Sequence, residues 1–305
     1  MQNSFTHPLR SHRLWIRALV SSSFLSVSFL SVGLLGWTSD AMAQTPTVPR
    51  PAPAATPAPA PATPPAPATA TDAPARLVQT LSQIDAAANQ GNLQTVMAFY
   101  SPQFTNSDGL NYTSYQEALQ KFWQRYPGMT YQTQINSWER DGNAIVVETT
   151  TTIRGTQQTS GRPQNLTATI ASLQRFEGFK IVSQEILSER SEVTIGTTPP
   201  TVELRLPTQV NVGRNFSLDA VVQEPLGDRL LLGAALAEPI NAEGYLNAVP
   251  IELELLSSGG LFKVGRAPIA PENRWISAIL VRDDGITAVT QRMQIINRGS
   301  NTGNR

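Results

Sequence analysis

Between residues 129 and 189 the chain is written in long β-favouring runs, and the stretch Ile145-Val146-Val147-Glu148-Thr149-Thr150-Thr151-Thr152-Ile153 holds a single good helix former, Glu148. Branched side chains lose rotamer freedom in a helix and pack well on a pleated surface, so this part of the chain must be strand. The runs are 129–139, 143–154, 164–176 and 179–189, and Asp141-Gly142 and Glu177-Gly178 stand where tight hairpin turns are needed. Ahead of them Leu77, Val78, Leu81, Ile84 and Ala88 recur at helical spacing until Gly91. A second short helix is expected over 93–100, ended by Pro102. After Asn106-Ser107-Asp108-Gly109, Thr113 or Ser114 caps a third, which carries Ala118, Leu119, Phe122 and Trp123 and stops before Pro127-Gly128. Three helices followed by an antiparallel meander specify an α+β layer with the helices on one face of a curved sheet.

The N-terminal end has a different character. Arg10, Arg13 and Arg17 precede an apolar run over 18–37, and Ala41-Met42-Ala43 follows. That is the order of a secretory signal peptide, expected to span 1–43. The rival is an uncleaved membrane anchor, since the run approaches the roughly 20 residues that span a bilayer. Residues 44–74 are almost wholly Pro, Ala and Thr, with eleven prolines from Pro46 to Pro74. Such a segment buries too little apolar surface to offset its ordering entropy, so a disordered, extended linker is expected, or a stalk if the anchor stays.

Cleavage after Ala43 removes both histidines, His7 and His12, and the chain has no cysteine. An exported protein without disulfides depends on packed cores. It also lacks the usual proton shuttle at neutral pH, the commonest metal ligand and the thiol nucleophile, so no metal site and no cofactor are expected. The product carries 20 basic and 22 acidic residues, which gives no electrostatic case for binding nucleic acid. A periplasmic or extracellular location follows from export.

Thr197-Thr198-Pro199-Pro200-Thr201 reads as a joint between domains. Beyond it, strands are expected over 201–206, 215–223, 229–237, 251–256, 261–264, 274–282 and 286–296, with Asp284-Gly285 as a hairpin turn between the last two. Phe216, Leu218, Ala220 and Val222 alternate inward. Seven short strands over 199–297 resemble an immunoglobulin-like β-sandwich in length and rhythm, without its Cys…Trp…Cys hallmark. Residues 298–305 form a polar tail.

The first domain, 75–195, resembles the nuclear transport factor 2-like superfamily of cone-shaped α+β domains, which includes the SnoaL-like and ketosteroid isomerase-like proteins. The resemblance rests on the order of elements and on Ala86-Ala87-Ala88-Asn89-Gln90-Gly91-Asn92-Leu93, Phe99-Tyr100-Ser101-Pro102-Gln103-Phe104 and Arg175-Phe176-Glu177-Gly178-Phe179-Lys180-Ile181-Val182-Ser183. It implies a cavity, for which Ile84, Phe104, Asp108, Tyr112, Phe122, Ile170 and Ser172 are the expected lining. It also implies that Asp108 matches a general base of steroid isomerases, while Ile84 and Ser172 stand where that chemistry has hydrogen-bond donors for an oxyanion. An aliphatic side chain donates nothing, so Asp108 is expected to be a turn residue of Asn-Ser-Asp-Gly rather than a base. Two functions are therefore weighed. One is an exported non-enzymatic binding or assembly protein, whose cone takes an apolar small molecule or pairs through its sheet into a homodimer while the sandwich docks a partner protein. The other is an isomerase, dehydratase or cyclase using Asp108.

Overall fold

The structure, a computed structural model, describes residues 68–69, 72–246 and 251–297. The expected signal, most of the expected linker and the tail at 298–305 lie outside the described residues. Helix α1 (Ala75–Asn89) buries Leu77, Thr80, Leu81, Ala87 and Ala88; of the expected stripe Leu77, Leu81 and Ala88 are buried and Ile84 packs against the core, whereas Val78 is exposed. Helix α2 (Leu93–Met97) starts where the Asn92 side chain accepts a hydrogen bond from Thr95 N.

The expected continuation of this helix to residue 100 does not form. Tyr100–Asn106 is instead strand β2, numbered after a short pair at Ala68–Thr69 (β1). Tyr100 and Phe104 enter the core, and the register breaks between Tyr100 and Thr105, so Pro102, with no N–H to give, stays out of the ladder. Helix α3 (Tyr112–Arg125) is capped by Asn111 rather than by Thr113 or Ser114. Ser114 N donates to the Asn111 side chain and Asn111 N donates to Ser114 Oγ, a reciprocal capping box.

The meander is β3 (Thr130–Asp141), β4 (Ala144–Thr159), β5 (Arg162–Glu177) and β6 (Lys180–Gly196). Its turns use Gly142 and the pair Gly178-Phe179, both of whose φ angles are positive, and the Arg76 guanidinium lies 3.6 Å over the Phe179 ring. Strand β1 pairs with β3, so strand pairing begins inside the segment expected to be linker. Strand β6 continues to Gly196, past the expected end at residue 189, and this extension joins the two halves.

The second half comprises β7 (Val202–Arg205), β8 (Gln209–Asn211), β9 (Asn215–Val222), β10 (Leu232–Pro239), β11 (Glu254–Leu255), β12 (Gly260–Arg266), β13 (Glu272–Arg282) and β14 (Gly285–Ile296). Strand β8 was not expected, and only two residues of the expected run 251–256 pair. Strand β14 pairs antiparallel with β6, from Gly285 opposite Gly196 to Gln291 opposite Arg190. One 11-stranded sheet thus runs β1-β3-β4-β5-β6-β14-β13-β10-β11, with β2 added to β6 and β8 to β14. The three-stranded sheet β12-β9-β7 covers its far end, packing Leu218, Ala220 and Leu261 onto Ile276, Leu280 and Val289. Two sheets do face each other after residue 197, but one of them is the continuation of the first half's sheet.

The junction has no spare room. A Cβ on Gly285 would lie 2.5 Å from Pro199 Cα and 2.7 Å from the Ile195 carbonyl oxygen. Backbone atoms cannot swing aside as a flexible side chain can. Gly285→Ala is therefore expected to destabilise the fold by about 1–3 kcal/mol, the usual range for overpacking, read as a lower urea midpoint. An unchanged midpoint would show that the joint yields.

Candidate functional site

Strand register lines up a row of side chains across the joint. Ile170 on β5 stands opposite Glu189 on β6, and Trp275 on β13 stands between Arg292 on β14 and Glu238 on β10. Because Arg190 pairs with Gln291 in the β6–β14 ladder, Glu189 and Arg292 are neighbours, and the row reads Ile170, Glu189, Arg292, Trp275, Glu238. The next row on the same face is Ala168, Ser191, Thr290, Ser277. Apart from Arg292, both rows line a cavity of about 640 Å³. Its apolar wall includes Leu81, Ile84, Val96, Leu119, Phe122 and Ile153, and Tyr245, Leu246 and Trp275 contribute from the second half. Helix α3 has no fully buried residue: Leu119 and Trp123 pack against one core cluster and Phe122 against another, and all three also border this space.

Of the expected lining, Ile84, Phe122, Ile170 and Ser172 border the cavity. Phe104, Asp108 and Tyr112 lie elsewhere. Phe104 is core, edge-on to Tyr100, and the Tyr112 hydroxyl donates to the Met97 carbonyl oxygen at 3.4 Å.

Asp108 is neither a solvated turn residue nor a base aimed at the cavity. The turn's side-chain acceptor is Asn106, whose Oδ1 takes the Asp108 N–H at 2.7 Å. The Asp108 carboxylate is buried and gripped by the Arg292 guanidinium, Nη1 to Oδ1 at 2.9 Å and Nη2 to Oδ2 at 2.7 Å. The Tyr245 hydroxyl donates to Oδ2 at 2.6 Å. Arg292 Nη2 also reaches Glu189 Oε2 at 3.2 Å, and the same oxygen accepts the Trp275 indole N–H at 2.9 Å. Burial, with the charges of Glu189 and Asp108 adding to it, holds the Tyr245 phenol well above its ordinary pKa, so it remains a donor. For Arg292 burial opposes the charge, but the bonds to Asp108 and the field of Glu189 outweigh it and raise the guanidinium pKa.

A second polar chain starts from the same turn. With Asn106 Oδ1 fixed by a backbone N–H, Asn106 Nδ2 donates to Gln184 Oε1 at 3.2 Å, and Gln184 Nε2 donates to Ser172 Oγ at 3.4 Å. Ser172 Oγ also meets Thr149 Oγ1 at 3.2 Å and accepts from Gln174 Nε2 at 3.4 Å. Gln174 Oε1, at the end of this chain, is buried without a hydrogen-bond partner among the described residues.

Sequence reasoning missed Arg292, Tyr245, Gln174 and Gln184. One signal existed for Arg292: it alternates with Ala288 and Thr290 in a strand whose other face holds Val289 and Met293, leaving a lone charge where both faces read as buried. Among the described residues no group of three or more His, Cys, Asp or Glu side chains is placed to hold a metal ion, and no helix is long and apolar enough to cross a membrane.

Residues 82–184 match the family model described as a SnoaL-like domain, and 197–296 match a domain of unknown function, DUF8623. The chain therefore contains a SnoaL-like domain at 82–184. No curated protein matches the chain. Among solved structures it is similar to Bd1075 of Bdellovibrio bacteriovorus, at 17% identity over 36% of this chain and 38% of that one, with a TM-score of 0.27. A putative polyketide cyclase from Xanthomonas campestris pv. campestris shares 14% identity over 36% of this chain and 88% of its own, at a TM-score of 0.26. An LEH-like epoxide hydrolase of M. tuberculosis shares 13% over 36% and 80%, also at 0.26.

Proposed function

We propose that the chain is an exported, non-catalytic binding protein that holds an apolar small molecule in the cavity between its SnoaL-like half and the half that follows. The observation that carries this is the composition of the wall: apolar side chains from the cone, with Tyr245, Leu246 and Trp275 of the second half completing it. Catalysis by Asp108 lacks its geometric condition. A general base must reach the proton that it removes, and this carboxylate is turned to Arg292, outside the cavity lining. Export through residues 1–43 and the immunoglobulin-like character of 199–297, with a surface for a partner protein, belong to the same proposal.

A neutral apolar fluorophore, N-phenyl-1-naphthylamine, tests it. With the full chain its emission is expected to rise and saturate at one dye per chain. Ile170→Trp, which puts an indole on the cavity lining, is expected to weaken that binding by roughly tenfold or more, on the scale of losing a buried contact, without lowering the melting temperature. Equal, saturable binding to both proteins would show that the dye, and the function, lie elsewhere.

A further inference from the structure

The cavity wall is short of hydrogen-bond donors at two places. Gln174 is 7% exposed, and its Oε1 has no hydrogen-bond partner among the described residues, although a buried carbonyl ordinarily finds one. Its Nε2 donates to Ser172 Oγ at 3.4 Å, so it is the acceptor end that is left over. Glu189 is the second place. Its Oε2 takes both Arg292 and Trp275, while Oε1 receives no hydrogen bond from the other described residues. Around it, two carboxylates, Asp108 and Glu189, share one guanidinium.

Other charged groups also line the cavity. Asp85 accepts from Thr133 N and Oγ1, and Lys121 pairs with Glu117 and donates to the Leu246 carbonyl oxygen. Arg125 lies on the lining in the last turn of α3, and Glu238 adds a carboxylate to the same row as Glu189. Arg292 meets Glu189 with one nitrogen but is shared with Asp108, and a carboxylate facing an apolar chamber is costly unless positive charge matches it. The two unmet acceptors are also a set distance apart. Gln174 lies four residues along β5 from Ile170, the register partner of Glu189, which is about 13 Å of strand.

We infer that the ligand is an elongated apolar amine, its ammonium paired with Glu189 Oε1 and a hydroxyl or N–H at its other end donating to Gln174 Oε1. This rests on the binding role proposed above and adds the chemical class of what is bound. Displacement of N-phenyl-1-naphthylamine from the full chain by decan-1-ol, decylammonium, decanoate and 10-aminodecan-1-ol, each below its micellar concentration, tests the two ends separately. Decylammonium is expected to displace the dye at roughly tenfold lower concentration than decan-1-ol, the size of a charged hydrogen bond, and 10-aminodecan-1-ol at several-fold lower again. Glu189→Gln should erase the advantage of the amine, and Gln174→Leu that of the added hydroxyl. Displacement by decan-1-ol should persist in both, which shows that the cavity is intact. Decylammonium no better than decan-1-ol, decanoate the best of the series, or an amine advantage that survives Glu189→Gln would overturn the inference while leaving an apolar binding site. Displacement by none of the four would instead overturn the binding role itself.

Discussion

Arg292→Ala is expected to destabilise the protein by about 3–5 kcal/mol, the cost of leaving a buried charge without its partner. The side chains of Arg292 and Asp108 are 0% and 1% exposed, so water cannot replace the lost guanidinium without opening the joint. Only the Tyr245 hydroxyl and a long contact from Ser107 would remain on the Asp108 carboxylate. Since an ordinary domain is stable by about 5–15 kcal/mol, the variant should show a much lower urea midpoint and exposed tryptophan fluorescence at ambient temperature. The companion variant Asp108→Leu/Arg292→Met removes both charges and keeps apolar bulk, and should lose less than Arg292→Ala alone. If the single variant lost under about 1 kcal/mol, the pair would be behaving as a surface salt bridge, and the buried joint would be refuted.

Truncation after Gly196 is expected to abolish the soluble monomer. The cut removes β14 from residues 190–196 of β6, leaving a row of unpaired backbone groups that invites pairing with other chains. It also strips Arg292 from Asp108 and takes Tyr245, Leu246 and Trp275 off the cavity wall. Size exclusion should show aggregate, and near-UV circular dichroism should show lost tertiary packing. By the same reasoning the full chain should unfold in one transition, since the sheet has no break at residue 197. A monodisperse fragment 1–196 with a cooperative melt would mean that the SnoaL-like half is complete by itself.

The local elements were legible because local chemistry decides them. The stripe on α1 apart from Val78, the hairpins at Gly142, Gly178 and Gly285, and the inward alternation of Leu218, Ala220 and Val222 all rest on neighbours a few residues apart. Segment 100–106 misled because Pro102 reads as a helix stop, whereas Tyr100 and Phe104 enter the core as strand residues. The joint was illegible for a different reason. Asp108 and Arg292 are 184 residues apart, and Asn-Ser-Asp-Gly offers a sufficient local explanation of its aspartate as a turn residue. The turn does form, but Asn106 supplies its acceptor, which frees Asp108 for a partner that no spacing rule identifies. Half of the site was visible for the same reason that half was hidden. Ile84, Phe122, Ile170 and Ser172 follow from the cone alone, while Tyr245, Trp275 and Arg292 come from strands and turns whose place depends on the β6–β14 pairing.

The cavity between the halves is proposed to hold a small molecule and leave it unchanged. Native mass spectrometry of the chain purified from its source without detergent, beside Ile170→Trp purified in the same way, tests this most directly. The expected result is one adduct per wild-type chain, released intact on denaturation and identical before and after prolonged incubation, with the variant empty. A wild-type chain that carries nothing, an adduct equally present in the variant, or a bound compound that is converted to another species during incubation would contradict it.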